Sequence, residues 1–256
     1  MGHVIRERLA VQLYTVRDAM KTHPWETLEA IRDMGWPAVQ VSGFPYDPQE
    51  LGKRLRSLEL ETAGIHLPYT RLANDLDGIR REAEALDTID VVCPALPMEM
   101  RNPEGFVYAR EVLRAAADRL GESGLRVSYH NHDYEFEHEV GSVGALAYML
   151  DPGDDSRLLA EFDVYWLAHG GQEPVSFMER YRGRIPILHL KDMTPDPERT
   201  FAAVGTGVLD FAAILRSGLE SGVEWYAVEQ DRCPGDPLDS LKTSWKNLDT
   251  LIGQLP

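Results

Sequence analysis

Short apolar runs alternate with longer amphipathic segments along the chain. The short runs are rich in Val, Ile and Leu, and they read as strands. They fall at Leu9–Tyr14, Ala38–Ser42, Leu60–His66, Ile89–Pro94, Leu125–Asn131, Leu158–Asp163, Ile185–Lys191 and Val223–Gln230. Between them, apolar positions recur at helical spacing. In Pro103–Gly121 these are Phe106, Ala109, Val112, Leu113, Ala116 and Leu120, with Gly121 as a natural stop. Trp25–Met34 ends at Gly35 in the same way, and Asp75–Leu86, Glu173–Tyr181, Asp210–Glu220 and Leu238–Ile252 are further helices. Eight strands joined by mostly helical segments predict an α/β fold, one (β/α)8 TIM barrel over residues 1–256. An open doubly wound sheet is the alternative. It lacks its Gly-rich first turn, because the first strand runs into Leu13-Tyr14-Thr15-Val16-Arg17.

Composition narrows the partners. Of 256 residues, 42 are acidic and 26 basic, a formal net charge of -16. Such a surplus leaves no broad cationic face for nucleic acid or for an anionic membrane. Cys93 and Cys233 form no CxxC pair, which fits a reduced, cytoplasmic setting. Met1 to Arg8 shows no apolar signal-peptide core, and no run of 18 apolar residues is present, so no secretion signal or membrane span is expected.

In a (β/α)8 barrel the chemistry sits where the strands end. Four metal-competent side chains fall at successive late strand ends: Glu135, Asp163, His189 and Glu229. Each is costly inside a strand unless something pairs with it. Three carboxylates and one imidazole form an oxygen-rich set, with Mn²⁺ preferred and Mg²⁺, Co²⁺ or Zn²⁺ as alternatives. The bland reading of any one of them is a strand cap or an ion pair; four at equivalent positions favour a site. The stretch Ser128-Tyr129-His130-Asn131-His132-Asp133-Tyr134-Glu135-Phe136 adds two histidines beside that set. Gly205-Thr206-Gly207 invites a phosphate-loop reading, but GxxxxGK[ST] is absent and residue 210 is Asp. A loop leading into the next helix is the better account.

The stretches "VQLYTVRD", Thr27–Gly35, "YHNHDYEF", "EFDVYW", "ILHLKD", "VGTGVLDF" and "YAVEQD" together cover nearly the full length. They resemble the sugar phosphate isomerase/epimerase family, xylose-isomerase-like TIM barrels related to inosose dehydratases and ketose 3-epimerases. The resemblance implies a divalent metal held by two glutamates, an aspartate and a histidine, which map to Glu135, Asp163, His189 and Glu229. Relatives with a glutamate on the fifth strand often read Glu-Asn-His where this chain has His130-Asn131-His132. His130 therefore competes with Glu135 for the ligand position, and Glu135 is preferred for its oxygen. Many relatives also carry a glutamate where this chain has Gln40, an amide that can bind a hydroxyl but cannot act as a base.

The implied activity is metal-dependent removal of a proton next to the carbonyl of a sugar, keto-sugar or inositol derivative. Isomerisation, epimerisation and elimination all begin that way, and the paired histidines tilt the reading toward a dehydratase or lyase. Glu229, Glu135 and His132 are the candidate bases. Lys191, on the same strand face as His189, either steadies oxyanion charge or pairs with Asp192 or Asp163. His66, His130, Gln12, Tyr14 and Trp166 are candidate substrate contacts, and Phe44 and Trp225 could join Trp166 as an apolar wall. His3, His23 and His169 read as surface or loop residues. A non-catalytic sugar-binding or complex-partner barrel is the alternative, kept open by Gln40. A homo-oligomer is also expected.

Overall fold

A computed structural model describes residues 2–153 and 155–255. The strands are β1 Leu9–Gln12, β2 Ala38–Val41, β3 Glu61–His66, β4 Asp90–Cys93, β5 Arg126–His130, β6 Leu158–Asp163, β7 Ile187–Leu190 and β8 Trp225–Val228. They pair in parallel, each with its neighbours in sequence, and β8 closes on β1 through Leu9–Tyr226, Ala10–Ala227 and Val11–Val228. The fold is a single closed TIM barrel, and each strand lies inside its predicted range. The ends retract for local reasons. After Gln12, for example, Leu13–Val16 turns into a 3₁₀ helix whose Tyr14 N–H donates to Gln12 Oε1.

The helix Pro103–Gly121 has its predicted bounds. Asn102 Oδ1 accepts from the Gly105 N–H at 2.9 Å, and Pro103 occupies the first helical position, where no donor is needed. Glu173 and Asp210, predicted as first helical residues, instead cap the helices Pro174–Glu179 and Phe211–Glu220 with their carboxylates. Part of the acidic surplus thus serves the positive ends of helices.

Period-two alternation sorts each strand into two faces. Leu9, Val11, Val39, Val41, Val127, Tyr129, Phe162, Leu188, Leu190, Tyr226 and Val228 join the core between strands and helices. Each such side chain contributes roughly 1.5–3 kcal/mol by leaving water. Ala10, Ala38, Ala63, Val92, Ile187 and Ala227 form a separate cluster filling the barrel lumen. Two residues further along the same face, the lumen turns polar: Gln12 follows Ala10, Gln40 follows Ala38, His189 follows Ile187 and Glu229 follows Ala227. Strand β3 breaks step at Gly64, where the register with β2 shifts. A Cβ on Gly64 would lie 3.0 Å from Ile187 Cδ1 and 3.2 Å from Asp90 Cβ, so this close approach needs glycine. The bulge brings His66 to the polar layer although Ala63, three residues earlier, faces the lumen.

At the opposite, N-terminal end, Arg126 binds Asp90 through Nε and Nη2 at 2.8 and 2.7 Å and reaches Glu224 at 2.5 Å. Trp225 lines the cavity at that end, so it does not belong to a wall of the site. Phe44 packs against Tyr46 and the core, likewise away from the pocket lining.

Candidate active site

The C-terminal ends of the strands surround a pocket of about 520 Å³. Its lining includes Tyr14, His66, His130, His132, Trp166, Lys191, Phe201, Glu229 and Asp231. Of the predicted substrate contacts, Tyr14, His66, His130 and Trp166 are therefore at the pocket. Gln12 is not: it is fully buried below the floor, where its Nε2 donates to Gln40 Oε1 at 2.8 Å. Gln40 is equally buried, and its amide meets Gln12, Glu161 and His189.

His130, Asp163, His189 and Glu229 each offer a donor atom, and the four atoms lie within 4.8 Å of one another. They come from β5, β6, β7 and the residue after β8, four neighbouring strand ends. Asp163 shows how the site is built. Its Oδ1 caps the helix Val164–His169, accepting from the N–H groups of Tyr165 and Trp166 at 2.9 and 3.2 Å. Its backbone N–H donates to Asn131 Oδ1 at 3.0 Å. Oδ2, fully buried, accepts no hydrogen bond. Lys191 Nζ lies 2.9 Å from it, an ion-pair contact without hydrogen-bond alignment, so a lone pair stays aimed into the group. His130 Nε2 is 3.9 Å from this oxygen, and His189 Nδ1 is 3.2 Å from Glu229 Oε2. Two imidazole nitrogens and two carboxylates, one with an oxygen that accepts no hydrogen bond, fit a divalent ion.

Glu135, the predicted fourth ligand, lies outside this group. Beyond β5 the chain forms a 3₁₀ turn, Tyr134–Phe136, which sends its side chain behind the strand. There Oε1 accepts from Tyr129 Oη at 2.5 Å, and Oε2 accepts from the His132 N–H at 2.8 Å. Burial pushes this carboxyl up to about 7, against the lowering effect of those donors. The inward position on β5 belongs to His130 by alternation. Glu135 instead holds the backbone of His132, and His132 faces the pocket with Nδ1 unpartnered. Burial, aided by His130 and Lys191, keeps the His132 ring well below its ordinary pKa, so it is a neutral base at pH 7. Its ring stacks on Tyr134 at 5.5 Å and leans on Trp166, whose Nε1 is also unpartnered.

Lys191 is fully buried and pairs with Asp163 and Glu229 at 2.9 Å each and with Asp231 at 3.0 Å. Asp192, on the opposite face, does something else. Its Oδ1 accepts from the N–H groups of Met193 and Leu209, and its Oδ2 accepts from Gly205 and Gly207. The Gly-Thr-Gly stretch thus wraps the protein's own carboxylate and holds no phosphate. A Cβ on Gly207 would lie 2.2 Å from Met193 O, which explains the glycine. His169, read as a surface or loop residue, pairs with Asp133 at 3.0 Å.

Glu161 and Asp231 join the site from outside the predicted set. Glu161 stands two residues before Asp163 on β6 and shares its face by strand alternation, and Asp231 lies two residues past Glu229, beyond the end of β8. A carboxylate inside the apolar run Leu158–Phe162 was itself the signal.

The chain belongs to the xylose isomerase-like TIM barrel family, whose model matches residues 28–249. An inosose dehydratase from Lacticaseibacillus casei is 30% identical over 55% of this chain and 52% of its own length. Against that relative the chain spans about half the length. An inosose dehydratase from Geobacillus kaustophilus is 26% identical over 90% of this chain and 88% of its own. Among solved structures, a sugar phosphate isomerase/epimerase from Parabacteroides distasonis superimposes with a TM-score of 0.78 at 22% identity, covering 94% of this chain and 93% of that one. The IolI protein with a bound zinc atom gives 0.75 at 14% identity over 97% and 99%. Both likenesses are of fold. Both of these curated relatives are inosose dehydratases. Among the described residues, no helix is long and apolar enough to cross a membrane.

Proposed function

We propose that this chain is a divalent-metal-dependent enzyme that removes a proton next to the carbonyl of a keto-sugar or cyclitol and expels water from the adjacent carbon. The observation that carries the reading is that His130, Asp163, His189 and Glu229 each bring a donor atom within 4.8 Å of the others, beside an open pocket. A bound divalent ion would polarise the substrate carbonyl and make the neighbouring C–H acidic. Zinc in the IolI structure supports an ion in this fold, and the two-imidazole set widens the choice from Mn²⁺ toward Zn²⁺ or Co²⁺.

His132 takes the proton. It is neutral at pH 7 and lines the pocket, as a base must. Lys191 presents a fixed ammonium to the oxygen that gains charge. Asp231, pushed up to about 6 by burial and by Glu229, pairs with Lys191 at the pocket, and the fraction that is protonated can supply the proton for the departing hydroxyl. Elimination is favoured over epimerisation because the curated relatives are inosose dehydratases.

The test is incubation of Mn²⁺- or Zn²⁺-loaded protein with inososes, keto-sugars and 3-keto-glycosides in deuterated water. Deuterium beside the carbonyl and an unsaturated product are expected. His132→Ala should lose turnover with bound metal near normal, and Glu135→Gln should keep its metal. A protein that binds no divalent ion and exchanges no C–H would overturn the reading.

A further inference from the structure

Beneath the four candidate ligands lies a second polar layer centred on Glu161, which is fully buried. Its Oε1 is 2.7 Å from His66 Nε2, 3.0 Å from His130 Nδ1 and 3.0 Å from His189 Nε2. Its Oε2 accepts from Gln40 Nε2 at 2.5 Å. Three imidazoles therefore converge on one carboxylate oxygen. The direction of the amide hydrogen bonds in this layer follows from one backbone group. The Tyr14 N–H can only donate, so the Gln12 atom it meets is Oε1. Gln12 Nε2 then donates, to Gln40 Oε1 at 2.8 Å and to the His66 ring at 3.3 Å. Gln40 Oε1, an acceptor, meets His189 Nε2 at 2.6 Å, so that nitrogen carries a hydrogen. Gln40 Nε2 is left to donate to Glu161.

With a carboxylate on one side, His130 holds its hydrogen on Nδ1 and His189 holds one on Nε2. The opposite nitrogens, His130 Nε2 and His189 Nδ1, face Asp163 and Glu229. We propose that Glu161 is the positioning residue of the metal centre: it fixes the ring orientation and tautomer of His130 and His189 so that their far nitrogens are presented to the ion. This rests on the metal-dependent reading above and goes beyond it. Gln40 belongs to the same device. A glutamate there would set a second carboxylate against Glu161 and leave the His189–Gln40 contact without its amide relay. The neutral amide is what lets one buried charge serve three histidines.

A competing arrangement uses the deeper atoms themselves, since His66, His130, Glu161 and His189 also lie within 4.8 Å of one another. An ion there would strip the hydrogens that Gln12 and Gln40 direct onto the rings. The two arrangements use opposite nitrogens of the same histidines, so one experiment separates them. Long-range ¹⁵N–¹H spectra of ¹⁵N-histidine-labelled full chain, recorded metal-free and with Zn²⁺, read which nitrogen is protonated and which coordinates. The expected result is coordination through His130 Nε2 and His189 Nδ1, with hydrogens retained on His130 Nδ1 and His189 Nε2 and with His66 unshifted. Glu161→Leu should weaken Zn²⁺ binding about 10–100-fold in a chelator competition and release His130 to a mixture of tautomers. Glu161→Gln, which keeps an acceptor oxygen, should restore the tautomer and recover part of the affinity; it also serves if the leucine variant does not fold. Coordination through His66 Nε2, His130 Nδ1 and His189 Nε2 would overturn the proposal, as would unchanged Zn²⁺ affinity in both variants. Should the wild-type chain bind neither Zn²⁺ nor Mn²⁺, the metal reading fails, yet the metal-free spectra still decide whether Glu161 sets the His130 tautomer.

Discussion

Replacing Glu135 by Gln tests whether its carboxyl is a structural brace or a ligand. In the folded chain this group is wholly buried and pushed up from 4.5 to about 7 by desolvation, with no cation beside it. The folded protein therefore keeps a proton that the unfolded chain releases between those two values. The stability this contributes is fully present below pH 4.5 and is lost as pH rises through about 7. A difference of about 2.5 pKa values corresponds to about 3 kcal/mol. Glutamine cannot ionise, and it fits the same partners: Oε1 accepts from the His132 N–H, while Nε2 donates to Tyr129 Oη, which then donates to Tyr134 Oη 3.0 Å away. Urea unfolding of both proteins from pH 4.5 to 8 should show the wild type losing about 3 kcal/mol relative to the variant across that window. Parallel pH profiles, or loss of bound metal in the variant, would refute the assignment and return Glu135 to the ligand set.

Lys191→Met leaves Asp163, Glu229 and Asp231 facing one another without their ammonium. The metal-free variant should be less stable by about 3–5 kcal/mol in urea, and added Zn²⁺ should recover most of the loss, because the ion supplies the missing charge. Asp192→Ala strands four backbone N–H donors, so a loss of about 3 kcal/mol and new proteolytic cleavage between residues 194 and 209 are expected. Burial works against protonation of His189, but Glu161 and Glu229 outweigh it and push the ring up to about 10. The metal-free protein should therefore lose stability as pH rises from about 6.5 through 10, while ion affinity climbs up to about tenfold per pH unit as the Nδ1 proton becomes easier to displace. Affinity that is flat from pH 7 to 9 would contradict that charge state.

Local pattern determined the barrel. Apolar runs of strand length, helices stopped by Gly35 or opened by Pro103, and the missing Gly-rich first turn left one closed parallel sheet as the consistent reading. Alternation within strands also placed Asp163, His189 and Glu229 at the lumen, since a residue's face is set by counting in twos from its neighbours. That count stops where a strand stops. Glu135 lies five residues past His130, across a 3₁₀ turn, and only the folded backbone decided that it points behind β5 toward Tyr129. The deep layer was hidden for a different reason. Gln12, Gln40, His66 and Glu161 come from β1, β2, β3 and β6, and their partnership exists only because barrel closure brings distant strands within hydrogen-bond reach. A carboxylate in an apolar run announces that it must be paired, but which three imidazoles pair with it is a property of the closed lumen.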